Sequence, residues 1–473
     1  MAQRTSGGLL GLTATASLMV ALDATAVTTA LARIRLDLSA TMEQLEWTVN
    51  AYGLSFAVLL MTGAALGDRF GRRRMFVSGL GLFTAASAAC AAAPGIGWLI
   101  AARAVQGCGS ALVMPLAMAL LSHGVPPERR ARALGAFAGV TGLAVVAGPV
   151  VGGIVTEGLA WQWIFWLNVP IGLAVIPLVL RYVPESRGGG ASFDLGGVLL
   201  VTGGALGLVW GLVRADGSGW DAAEVDGALA AGVLLLAAFV AWELRTREPM
   251  VPMRLLRSRG FSAGNAAGLL MYAALYGSLF FMAQFLQTVL GAGPMAAGLQ
   301  LVPWTATVTV IAPAAGALVN RAGARPLTAA GLTLQAIGMG WIGLTAGPST
   351  AYPELIAPMV VAGAGISMAM PAAQTAVINS VAAREIGKAS GVFNALRQLA
   401  AVLGVAVAAA VFTAEGGYGT AGTFSDGFGP ALTLTGALSL AGAVAALFLP
   451  GPDRTARPLP APPVPRRAPE PTR

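Results

Sequence analysis

Leu66-Gly67-Asp68-Arg69-Phe70-Gly71-Arg72-Arg73-Arg74 is flanked by two long apolar runs, 46–66 and 75–93. Each run is close to the ~20 residues that an α-helix needs to cross a hydrocarbon core ~30 Å thick. The stretch between them is therefore a tight turn carrying four arginines and one aspartate. Short loops rich in arginine stay on the cytoplasmic side of a membrane. The turn thus sets the orientation from which the rest of the chain is counted.

Composition agrees with this reading. The chain of 473 residues is 56% hydrophobic and 11% charged, against about 25% charged in soluble domains. Apolar runs of helical length without alternation predict membrane helices and not a β-barrel. Fourteen spans are expected, at 9–31, 46–66, 75–93, 97–121, 133–156, 162–181, 194–213, 227–243, 262–290, 295–319, 326–346, 353–379, 391–413 and 430–450. With the 66–74 turn inside, both termini are cytoplasmic. Twenty-four of the 29 Lys and Arg residues then fall in inside loops, and only Arg33, Arg35 and Arg214 fall outside. The net charge of +8 is thereby explained by topology, and no nucleic-acid partner is expected. The first apolar run contains Asp23 and exceeds twenty residues, so it reads as an uncleaved span and not a signal peptide. The expected location is the plasma (inner) membrane, multi-pass.

The chain contains a weak internal repeat. Ala64-Ala65-Leu66-Gly67-Asp68-Arg69-Phe70-Gly71-Arg72-Arg73 is echoed 252 residues later by Gly316-Ala317-Leu318-Val319-Asn320-Arg321-Ala322-Gly323-Ala324-Arg325. Both copies end the second span of their half, which predicts parallel halves of six spans, a transporter architecture. The expected organisation is a six-helix bundle over 1–187, a two-helix insert with its linkers over 188–260, a second six-helix bundle over 261–450, and a disordered Pro- and Arg-rich tail over 451–473.

Three ionisable residues lie deep in apolar runs: Asp23, Arg103 and Arg397. Such groups are costly in lipid and mark ion or proton pathways. Asp23, read as the only acid within a span, is the candidate proton or cation site, with Arg103 and Gln106 beside it. Arg397 either mirrors Arg103 or anchors its helix near the cytoplasmic face. In the turn, Asp68 lies at a helix C-terminus, where the macrodipole disfavours an anion, so it requires a partner. It is expected to lock the two halves in one conformation and release them in another. The fifth span carries Ala144, Gly148 and Gly152 at four-residue spacing, a stripe for close helix packing, and Pro149 bends the helix. Cys90 and Cys108 read as packing residues, and His123 as an interfacial one. No metal-ligand cluster, phosphate-binding Gly-rich loop or nucleophile–base pair is present, so neither an enzyme nor a cofactor is expected.

The turn (Gly67, Asp68, Arg69, Gly71, Arg72 and Arg73) resembles motif A of the major facilitator superfamily. Gly148-Pro149 with Gly152-Gly153 resembles its antiporter motif C, and Arg103-Ala104-Val105-Gln106-Gly107 its motif B. Leu22-Asp23-Ala24-Thr25, Trp161-Gln162-Trp163-Ile164-Phe165, Asn168-Val169-Pro170-Ile171-Gly172 and Phe193-Asp194-Leu195-Gly196-Gly197 are similar to the fourteen-span drug:proton antiporters. Gln162 and Ala144 depart from the residues usual there. The resemblance implies an all-α major facilitator fold and export coupled to proton entry, and the residues expected to take part in proton coupling are Asp23, Arg103, Gln106 and Arg397. The partners are then a small-molecule substrate, protons and the bilayer, with no obligate protein partner. The alternatives are an exporter dedicated to one metabolite or antibiotic, and a non-transporting sensor on the same scaffold. Tyr272, Tyr276, Phe281, Gln284, Asn379 and Asn394 are the expected cavity residues, with Met271, Met282, Met368 and Met370. The ninth, tenth and twelfth spans carry no acid in their interiors, which favours neutral, zwitterionic or singly charged substrates over dications.

Overall fold

The computed structural model describes residues 2–187, 194–246, 249, 251–382 and 385–451, with side chains undescribed at some helical positions, mainly in the first helix and in the fifth. The expected tail at 451–473, apart from Gly451, and the side chain of Asn320 lie outside the described residues. The described chain is helical throughout, with no strand.

In chain order the crossings are α1 (Ala2–Asp37), α2 (Met42–Phe70), α3 (Arg72–Ala91), α4 (Ile96–Gly124), α5 (Pro127–Gly158), the pair α6 (Trp163–Trp166) and α7 (Asn168–Tyr182), α8 (Leu195–Ser218) and α9 (Ala223–Arg245). They continue with α10 (Arg259–Thr288), the pair α11 (Pro294–Gln300) and α12 (Val302–Ala322), α13 (Ala324–Thr345), α14 (Tyr352–Asn379), α15 (Ile386–Glu415) and α16 (Ala421–Leu447). Thirteen of these spans are long and apolar enough to cross a membrane on their described residues, and α5 completes the expected fourteen. The helices overrun the sequence-based bounds. The first was expected over 9–31 but runs Ala2–Asp37, because apolarity limits only the hydrocarbon part of a helix.

Two crossings are broken, where the sequence predicts continuous spans. The second break falls at Leu301, just before Val302-Pro303. Pro303 cannot donate an N–H and crowds the carbonyl of the preceding turn, so Trp304 N takes the Leu301 carbonyl instead.

The repeat survives at the backbone. Gly71 joins α2 to α3 at φ +112°, and Gly323 joins α12 to α13 at φ +85°. Both values lie where a Cβ is strained and glycine is not. Helix α2 packs on α4, α1 on α5, and α3 on α4 and α7. In the second half α13 packs on α14 and α16, and α10 on α15 and α16. Helices α8 and α9 pair with each other, and α8 also lies against α2 and α15.

Candidate functional site

A cavity of about 1580 Å³ opens between the halves. Its head is lined by Asn50, Tyr52 and Arg103, its middle by Tyr272, Tyr276 and Arg397, and its mouth by Asp68, Asp194, Glu243, Arg257 and Lys388. The mouth residues belong to cytoplasmic helix ends and linkers, so the cavity faces the cytoplasm.

The outer side is closed by direct packing. The Arg35 guanidinium carbon lies 4.3 Å from the centre of the Tyr418 ring, and the Tyr418 hydroxyl donates to Gln284 Oε1. Gln287 Nε2 donates to the Thr29 carbonyl at 3.1 Å, and Met295 N to Glu157 Oε2 at 2.9 Å. Beneath them Phe281 stacks on Phe412 with centroids 4.7 Å apart, and Phe285 on Phe428 at 4.2 Å.

Asp23 lies behind Arg103 at the head of the cavity, 2% exposed. Its Oδ2 accepts from Arg103 Nη1 at 2.5 Å. Its Oδ1 accepts from Gln106 Nε2 and Asn168 Nδ2, both at 2.9 Å. Arg103 Nη1 also donates to Gln106 Oε1 at 2.7 Å, and its Nε to the Thr48 carbonyl at 3.2 Å. The guanidinium lies 4.1 Å from the Tyr52 ring centre. Five helices, α1, α2, α3, α4 and α7, thus meet at one carboxylate, with Ser87 Oγ accepting from Gln106 at 2.8 Å. The predicted residues Asp23, Arg103 and Gln106 come together. Asn168 and Ser87 had not been assigned to the site. Asn168 was visible only as part of a quoted motif, and Ser87 gave no signal.

The 66–74 turn is tied to its own half. Asp68 Oδ1 accepts from Arg72 Nε and Nη2, each at 2.7 Å, and Arg72 also reaches the His123 ring on α4. The required partner of Asp68 is therefore an arginine of the same turn. Glu185 accepts from the backbone N–H groups of Arg73 and Arg74 at 2.9 and 3.2 Å. It places an anion on the N-terminus of α3, where the macrodipole favours one; the sequence reading missed it. Arg69 is exposed and lies over Phe70.

The glycines of α5 serve two faces. A Cβ at Gly148 would overlap Thr25 Oγ1, and one at Gly152 the Ala26 carbonyl, both on α1. One at Gly153 would overlap the Pro294 carbonyl on α11, and one at Gly298 the Pro149 carbonyl. Helix α5 is thus wedged between the halves on the closed side, with carbonyls where side chains would otherwise stand.

A family model described as Major Facilitator Superfamily matches residues 13–405 and again 265–471. The chain belongs to this superfamily. It is accordingly a multi-pass transporter of the plasma (inner) membrane and not an enzyme. Among its relatives, the "Tetracenomycin C resistance and export protein" of Streptomyces glaucescens is 35% identical over 82% of this chain and 73% of its own length. The "Cephamycin export protein CmcT" of Amycolatopsis lactamdurans is 36% identical over 95% and 93%. The fold matches a peptide transporter POT in complex with sulfate, with TM-score 0.67 and 16% identity over 95% of this chain and 100% of that one. It also matches a bacterial homolog of the human lysosomal transporter Spinster in an inward-facing, unoccupied conformation, with TM-score 0.67 and 16% identity over 94% and 96%.

Within this major facilitator fold, several expectations are corrected. Tyr272, Tyr276, Asn394 and Met370 line the cavity, but Phe281, Gln284 and Asn379 do not. Phe281 is locked in the outer aromatic core, Gln284 is bonded to Tyr418, and Asn379 is exposed at the cytoplasmic end of α14. Met271 and Met282 are core residues. Arg397 lines the cavity and stacks 5.7 Å from the Tyr272 ring centre, and it joins none of the ion pairs among the described residues. Asp23 is not the only acid buried in a helix. Glu46 and Glu243 are also buried, at the ends of spans 46–66 and 227–243.

Proposed function

We propose that this protein is a proton-coupled antiporter exporting amphipathic small molecules, drugs or related natural products, by alternating access. The observation that carries the reading is the buried Asp23 carboxylate, held by Arg103, Gln106 and Asn168 at the closed end of a cytoplasm-facing cavity. A proton arriving from outside adds to an Asp23 oxygen and removes the charge that holds Arg103. The freed guanidinium turns to the Thr48 carbonyl and the Tyr52 face, which it already touches. Substrate in the cavity and a proton on Asp23 then favour opposite states. Release of the proton inward restores the ion pair and readies the site for the next molecule. One proton moving down ~100 mV supplies about 2.3 kcal/mol, enough for roughly fifty-fold accumulation of a neutral substrate outside.

In this reading α1–α7 and α10–α16 rock against one another, with α8 and α9 as an insert. The 66–74 turn acts as a latch that is disengaged here, since Asp68 is taken by Arg72. The relatives' names, which speak of resistance to and export of antibiotics, support export as the direction. The test is efflux from everted vesicles under an imposed pH gradient. Native protein should respond to the gradient and D23N should lose at least ten-fold of that response. Efflux indifferent to both would sink the reading.

A further inference from the structure

At the cavity mouth the buried atoms without hydrogen-bond partners are the carboxylate oxygens Asp194 Oδ2 and Glu243 Oε1, whereas those further in include two obligate donors. Arg397 Nε, Trp304 Nε1 and the Asn50 amide are buried and lack hydrogen-bond partners, and all three side chains line the cavity. Trp304 is 1% exposed and Asn50 0%. Arginine and tryptophan can only donate, so only an acceptor can satisfy them. The charges point the same way. Among the described residues, the carboxylates lining the cavity are Asp68, Asp194 and Glu243, all at the cytoplasmic mouth. The head and middle of the wall carry Arg103 and Arg397 and no acid. Arg103 is neutralised by Asp23 at 2.5 Å, whereas Arg397 has no anion beside it. A guanidinium left unpaired when the cavity closes bears a large desolvation cost. A ligand that brings its own anion removes that cost.

We infer that the central cavity selects aromatic amphiphiles carrying one anionic head, a carboxylate, sulfonate or phenolate. The head binds Arg397, and the rings lie on Tyr272, Tyr276 and Trp304. Tyr272 and Tyr276 are stacked with centroids 6.4 Å apart, a surface that ring systems can extend. The Arg397 guanidinium carbon already lies 5.7 Å from the Tyr272 ring centre, so the charge is held beside the aromatic surface before the ligand arrives. The inference rests on the export reading above and names the cargo of that same site. It also gives Arg397 a role distinct from proton transfer.

The test uses two dyes with the same ring system. Purified protein in nanodiscs is titrated with 8-anilinonaphthalene-1-sulfonate and with N-phenyl-1-naphthylamine, which lacks the sulfonate, and empty nanodiscs are subtracted. The sulfonate should bind at least ten-fold tighter. R397Q should remove at least ten-fold of that affinity and shift the neutral dye less than two-fold, and R397K should keep part of the preference. Melting temperatures of both variants close to native exclude misfolding. Equal binding of the two dyes, tighter binding of the neutral one, binding of neither, or equal losses in R397Q would each overturn the inference. Proton-driven extrusion is read separately in proteoliposomes. Loss of proton drive with the sulfonate preference intact counts against the export reading alone.

Discussion

Asp23 and Arg103 form an ion pair in which each group depends on the other. Removing one partner of a buried pair leaves an uncompensated charge, at about 3–5 kcal/mol. D23N and R103Q should each lower thermal stability by amounts of that order. The double variant should cost less than their sum, by about 1–3 kcal/mol; simple additivity would show that the 2.5 Å contact is energetically idle. A second expectation concerns Tyr418, which lies outside the spans on the closed face. Burial pushes its hydroxyl above the ordinary tyrosine range. The protonated form is the one that donates to Gln284. Its stabilising contribution is therefore present below about pH 10 and lost as pH rises beyond that. Y418F should cost about 1 kcal/mol, and by the same amount across pH 6–9, as melting curves would report. At this scale the sequence was legible where a charge stood in an apolar run, as at Asp23 and Arg103. It was silent at Ser87 and only partial at Asn168, because small polar residues are common on membrane helices and only packing aims them at a carboxylate.

At the scale of elements, length and loop charge were enough to place fourteen crossings, because lipid demands a satisfied backbone over a fixed thickness. The broken crossings at Leu167 and Leu301 were not read, although Pro170 and Pro303 stood just beyond them. Nor was the cavity-lining face of α10. Tyr272, Tyr276 and Phe280 line the cavity while Phe281 and Gln284 do not, and helix rotation is set by neighbours and not by hydropathy. The wedge of α5 gives a sharp test. Gly298 has the Pro149 carbonyl where its Cβ would stand, a contact on the closed outer side. G298A should shift the protein toward the outward-open state. A single cysteine at Thr29 should then label from outside at least five-fold faster than in the parent. An unchanged rate would mean that α5 and α11 stay packed through the cycle. A further expectation concerns α8 and α9. Asp194 Oδ2 and Glu243 Oε1 are both buried without hydrogen-bond partners and lie against the same point of Gly197. E243Q places an amide donor opposite Asp194 and should raise the melting temperature, whereas E243A removes the acceptor of Val251 N and should lower it. A fall in both would show that the Glu243 carboxylate itself is needed.

For the whole molecule, the two halves meet through packing outside and part around a cavity inside, so in the proposed export cycle this structure is the state that loads cargo from the cytoplasm. The net charge of what crosses then decides how strongly the membrane potential drives the cycle. Exchange of one proton inward for one neutral molecule outward moves one positive charge inward. Exchange of one proton for one monoanion moves the equivalent of two, since the anion leaves the negative side. The drive rises from about 2.3 to about 4.6 kcal/mol per 100 mV, and the attainable gradient from roughly fifty-fold to roughly two-thousand-fold. Arg397, unpaired in the cavity wall, thus has an energetic consequence beyond recognition: a pump built for anions gains work from a potential that hinders a pump for cations. In proteoliposomes with equal pH on both sides and a potential set by potassium and valinomycin, movement of 8-anilinonaphthalene-1-sulfonate should steepen with voltage about twice as much as that of N-phenyl-1-naphthylamine. The same voltage dependence for both would mean that the sulfonate crosses with a second proton or a metal cation, and the charge balance drawn from Arg397 would fall.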